Sequence, residues 1–92
     1  MGPAGKNRHW HHIVEQHADN VAKFGQSSIQ NTKNVISILG GFQGSLHGKI
    51  TGHYNSLIPG TSMRVRDYVK TLPYDQQYKY GIDVLIRFGW TP

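Results

Sequence analysis

Two stretches of the chain have the short, β-branched and aromatic character of strands, and four others carry apolar residues at helical spacing. Arg8 to Ile13 predicts a strand leading into a turn, and "NVISIL", ending at Leu39, predicts a second. Between them Val14, Ala18, Val21 and Ala22 predict a helix from about Val14 to Phe24, with Gly25 as its stop. The polar run Ser27 to Asn34 reads as turn, so the two strands are expected to pair as a hairpin-like ribbon. After glycines at 40, 41 and 44, Leu46, Ile50 and Tyr54 place one apolar stripe on a helix. Val65, Tyr68, Val69 and Leu72 mark a further helix that Pro73 ends, and Tyr78, Ile82, Leu85 and Ile86 give the last one an apolar face, with Gly89 as its stop. Strand, short helix, strand and three helices make an α+β domain, expected over residues 7–92. Residues 1–6, which lack periodicity, are expected to be a leader outside it.

Composition narrows the chemistry. At 92 residues and 37% hydrophobic, the chain can build one small core. There is no cysteine, which removes disulfides, thiolate nucleophiles and cysteine-held zinc, so any metal must be held by imidazole, carboxylate or amide oxygen. No apolar run is long enough to span a membrane. A net charge of +5 favours a polyanionic partner, either nucleic acid or an acidic protein.

The candidate chemistry lies in "RHWHHIVEQH", Arg8 to His17. On a strand His11 and His12 point to opposite faces, so one core cannot account for both. One imidazole on a metal with its neighbour facing a reacting water would use that geometry, whereas an isolated histidine in a basic domain is ordinarily a solvated or core residue. His47, opening the helix after the glycines, is a second source of imidazole, and ligands from separate elements leave coordination positions open. His53 lies about 240° round the helix from His47 and is read as a bystander. His9 shares the His11 face and is an extra ligand or a supporting group. His17 is read as a helix-face residue, and Glu15 as a helix cap or an orienter of imidazole. Asn31 and Asn34 are read as turn builders. Most basic residues are read as solvated, with Lys49 and Arg8 the candidates for phosphate contact. Tyr54, Tyr68 and Tyr78 are read as core.

The segments "HWHHIVEQ", "IQNTKNVISI", "LHGKITGHYNS" and "VRDYVKTLPYDQQYKYGIDVLIRFG" together resemble the HNH, or ββα-metal, nuclease superfamily. The resemblance is closest to the SHH/WHH-type C-terminal toxin domains of bacterial Rhs and contact-dependent inhibition proteins, and it extends from Asn7 to Gly89. It implies a small ββα-metal core with additional C-terminal helices. It also implies His11 and His47 as ligands of one divalent metal ion (Mg2+, Zn2+, Ni2+ or Mn2+), His12 as general base, and Asn34 as the residue holding the loop that carries the base. Colicin-like sites place a second helix histidine four residues before the one at position 47, where this chain has Gln43, so a two-ligand site completed by water is expected. The resemblance further implies DNA as substrate, delivery within a larger secreted toxin, action in the target-cell cytoplasm, and an immunity protein that is acidic to match the +5 charge. Two other readings are kept open: a basic nucleic-acid-binding module with a structural, histidine-bound metal, and an RNase on the same scaffold.

Overall fold

The computed structural model describes residues 2–92. Strand β1 (Arg8–His12) pairs antiparallel with β2 (Val35–Leu39), Arg8 standing opposite Leu39 and His12 opposite Val35. Five helices complete an α+β domain: α1 (Ala18–Phe24), α2 (Gln26–Ile29), α3 (Leu46–Asn55), α4 (Val65–Val69) and α5 (Tyr74–Arg87). The expected ribbon forms, but its connection is a folded excursion holding α1 and α2 rather than a tight turn. Among the described residues no helix is long and apolar enough to cross a membrane.

Two differences from the sequence pattern have local causes. Helix α1 starts at Ala18, not Val14, because the amide and carbonyl of Val14 are both bound by the Asn34 side chain and are withdrawn from any helical turn. Val14 is fully buried in that non-helical position. In the run read as turn, Gln26 to Ile29 forms one helical turn after Gly25, whose φ of 82° ends α1 and admits the change of direction. With Ile29 its only apolar residue, that turn shows no period to detect.

The core gathers Ile13, Ile38, Ile50, Tyr54, Val65, Val69, Val84 and Leu85 from β1's exit, β2, α3, α4 and α5. On α5 the buried face is Gln77, Gly81, Val84 and Leu85. The expected stripe is therefore rotated: Ile86 is 49% exposed, because a glutamine and a glycine occupy positions that hydrophobicity does not count. Gln77 exchanges two hydrogen bonds with Asn20, at 3.0 and 3.1 Å, tying α5 to α1 through buried amides. Gly81 lets α5 approach closely, since a Cβ there would lie 2.5 Å from the Ile13 carbonyl oxygen. Tyr68, expected in the core, is exposed on α4, where Val65 and Val69 carry the burial instead.

Two carbonyls ahead of β1 accept side-chain hydrogen bonds from the sheet. Trp10 Nε1 donates to the Gly2 carbonyl at 2.7 Å, and Ser37 Oγ donates to that of Ala4 at 2.8 Å.

Candidate active site

Helix α3 begins at a serine cap, Ser45 Oγ accepting from the Gly48 amide at 3.2 Å. Its first turn then faces the side of β1 that carries His9 and His11. The His11 and His47 rings stand 6.5 Å apart between centroids and 85° to one another. His9 instead lies flat on His47, at 4.8 Å and 20°. Gly40 makes room for that stack, since a Cβ there would sit 2.1 Å from His9 Cδ2 and 3.1 Å from His47 Cβ.

Ring orientation separates the roles open to the three imidazoles. A nitrogen lone pair lies in its ring plane, so near-parallel stacked rings aim their lone pairs side by side, whereas crossed rings can aim them at one point. His11 and His47 are thus the pair suited to a shared cation, and His9 supports the face of His47. Among the described residues no group of three or more His, Cys, Asp or Glu side chains is placed to hold a metal. His11 Nε2 is buried and has no hydrogen-bond partner. Burial, then the neighbouring His47 and His12, pushes the His11 pKa down to about 4. Burial and His9 lower that of His47 as well. Neutral imidazole is the form a divalent ion requires, and an unpartnered buried ring nitrogen is what such an ion would satisfy.

His12 closes β1, with its Nε2 3.0 Å from Gln30 Oε1. A carboxamide oxygen only accepts, so Nε2 donates and Nδ1 keeps its lone pair. Gln30 had no signal in the sequence, because the contact exists only once α2 has turned the chain back toward β1.

Asn34 is fully buried. Its Oδ1 accepts from the Val14 amide at 2.7 Å, and its Nδ2 donates to the carbonyls of Val14 and Ile29 at 3.1 and 2.9 Å. Asn31 does build a local turn, accepting from the Lys33 amide at 2.8 Å. Asn34 instead clasps the exit of β1, immediately after His12, to the entry of β2.

The imidazoles border a cleft of about 190 Å³ between β1 and the side of α3 bearing His47, Ile50, Thr51 and Tyr54. Glu15 and Arg66 also line it, paired through Arg66 Nε to Oε1 at 2.9 Å and Nη2 to Oε2 at 2.8 Å. Glu15 is therefore neither a helix cap nor a partner of imidazole. Arg66, read from the sequence as a solvated cation, is the guanidinium at the site. A larger groove of about 500 Å³, between the residues around Ser28 and Lys33 and the start of α5, contains no imidazole. Its tyrosine hydroxyls are spent on the Ser28 and Lys33 carbonyls, at 3.0 and 2.8 Å.

The remaining candidates lie elsewhere. Lys49 is exposed, about 200° round α3 from His47. Arg8 is engaged across the sheet, bonding Ser37 Oγ at 2.8 Å and its carbonyl at 2.7 Å. His17 precedes α1 without capping it through its side chain. His53 faces away from the cleft, its Nε2 2.6 Å from the Tyr80 hydroxyl. No family model, curated protein or solved structure matches the chain.

Proposed function

We propose that this domain is a metal-dependent, largely non-specific DNA endonuclease of the ββα-metal type, acting as an interbacterial toxin. One observation carries the reading: two crossed imidazoles, His11 and His47, the first with a buried and unpartnered nitrogen, stand beside a third, His12, whose tautomer is set by Gln30. A divalent ion held by His11 and His47 would supply neutralisation of the charge on the phosphoryl group and on the departing oxygen.

The chain's own residues supply the rest. His12 Nδ1 takes the proton of the attacking water, its lone pair left free by the bond that Nε2 makes to Gln30. Gln30 holds the opposite ring nitrogen, and Asn34 holds the backbone that presents it. The net charge of +5 grips a polyanion without reading its sequence. The apolar core lies in Ile13, Ile38, Val84 and their neighbours rather than in the imidazoles, which favours a catalytic ion over a structural one. The toxin role, delivery to a target-cell cytoplasm and an acidic immunity protein rest on the sequence resemblance and the basic charge.

Supercoiled plasmid incubated with the protein and Mg2+, Mn2+, Ni2+, Zn2+ or chelator tests the proposal, with RNA as a parallel substrate. Nicking and linearisation of DNA that require a metal, and that fall about 10²–10⁴-fold in His12→Ala, are expected. Binding without strand breaks under every metal would leave a nucleic-acid-binding module, and cleavage confined to RNA would make the domain an RNase.

A further inference from the structure

Among the described residues three buried side-chain atoms have no hydrogen-bond partner: His11 Nε2, His17 Nε2 and the Tyr54 hydroxyl. The first belongs to the metal pair. Tyr54 stands two turns beyond His47 on the same side of α3 and borders the same cleft. Its ring belongs to the core, at 2% exposure, yet its oxygen meets no acceptor or donor in the protein. A phenylalanine would fill that core position equally well, so the hydroxyl adds nothing to packing and carries the cost of an unmade hydrogen bond.

The surroundings say what would complete the bond. Burial and Glu15 push the Tyr54 pKa up, keeping the phenol protonated and able to donate. Glu15, the cleft's only carboxylate among the described residues, is already held by Arg66 on both oxygens. With Glu15 tied down, no free carboxylate among the described residues borders the cleft, so a ligand that brings acceptor oxygens is what completes the bond.

We propose that the Tyr54 hydroxyl donates a hydrogen bond to a non-bridging phosphate oxygen of a phosphodiester seated in the cleft, making the cleft a phosphate site in its own right. The choice of a phosphodiester rests on the nuclease reading; the anion site rests on Tyr54 and its neighbours.

Tyr54→Phe removes only the hydroxyl. In chelator, with inorganic phosphate titrated against chloride at matched ionic strength, the melting temperature of the wild-type protein should rise with phosphate concentration. The variant should melt at the same temperature as wild type or higher in chloride, and its apparent phosphate affinity should be about 10-fold or more weaker, as for a lost bond to a charged group. With the metal that supports cleavage, kcat/KM on plasmid should fall by a similar factor. A variant that loses stability in chloride would show that the hydroxyl has a partner inside the protein, and an unchanged phosphate response would equally overturn the proposal. If wild type binds phosphate through Tyr54 but never cleaves DNA, the nuclease reading fails and the anion site stands. If both proteins cleave and respond to phosphate alike, the nuclease reading stands and the role of Tyr54 falls.

Discussion

Gln30 decides which nitrogen of His12 can take a proton, so its side chain is expected to matter to rate and not to fold. Gln30→Leu should lower cleavage about 10–100-fold, the usual effect of losing a hydrogen bond that orients an imidazole, with the melting temperature little changed. Gln30→Glu, which still accepts, should recover most of that rate, and equal rates in all three proteins would remove Gln30 from the site. His11 gives a pH prediction for the metal-free protein. Its native pKa near 4 lies below the ordinary 6.5, so between those values the unfolded chain binds a proton that the native chain does not. Stability is therefore full above about pH 6.5 and declines as pH falls toward 4, by roughly 3 kcal/mol. Urea melts of wild type and His11→Gln across pH 4–7 in chelator should show a flatter profile for the variant. The adjacent histidines, Asn34 and His47 were legible as candidates because residue type and spacing carry that information. Gln30, Arg66 and the Tyr54 hydroxyl were not, since their significance lies in contacts between elements far apart in sequence.

The glycines of α3 and α5 give opposite expectations for one substitution. A Cβ at Gly52 would meet nothing within 4 Å, so Gly52→Ala should stabilise the protein by about 0.5–1 kcal/mol through helix propensity alone. At Gly81 the Cβ would press on the Ile13 carbonyl at 2.5 Å, a backbone atom that cannot turn aside. Gly81→Ala should therefore destabilise by about 1–3 kcal/mol despite its better propensity, and should disturb β1's exit beside His12. Denaturant melts of the two variants check the sign of each effect. Both strands and the helices of the second half were visible from apolar spacing, the Leu46, Ile50 and Tyr54 stripe most clearly. That signal failed where polar or side-chain-free residues do the packing, as at Gln77 and Gly81, and where a side chain captures backbone, as Asn34 does at Val14.

For the molecule as a whole, charge and core lead to separate expectations. Of the Lys and Arg side chains, only Arg66 and Lys70 form ion pairs among the described residues, which leaves most of the positive charge for phosphates. Binding of catalytically silent His12→Ala to duplex DNA should weaken about 10²-fold between about 50 and 200 mM salt if about four phosphates are contacted. Fluorescence anisotropy measures that slope, and a flat line would exclude a charge-driven grip. Because the apolar cluster does not include His11 or His47, removing an ion proposed to sit between them with chelator should lower the melting temperature modestly and leave the helical circular-dichroism signal intact. Unfolding on chelation would instead mark a structural metal. The clasp at Asn34 also bears on how this protein ages. All its side-chain bonds go to backbone, so hydrolysis of that one amide to a carboxylate would replace two attractions, to the Val14 and Ile29 carbonyls, with two repulsions. A stored sample in which Asn34 had deamidated would lose the position of His12 and the fold together, leaving no intact but inactive protein to accumulate.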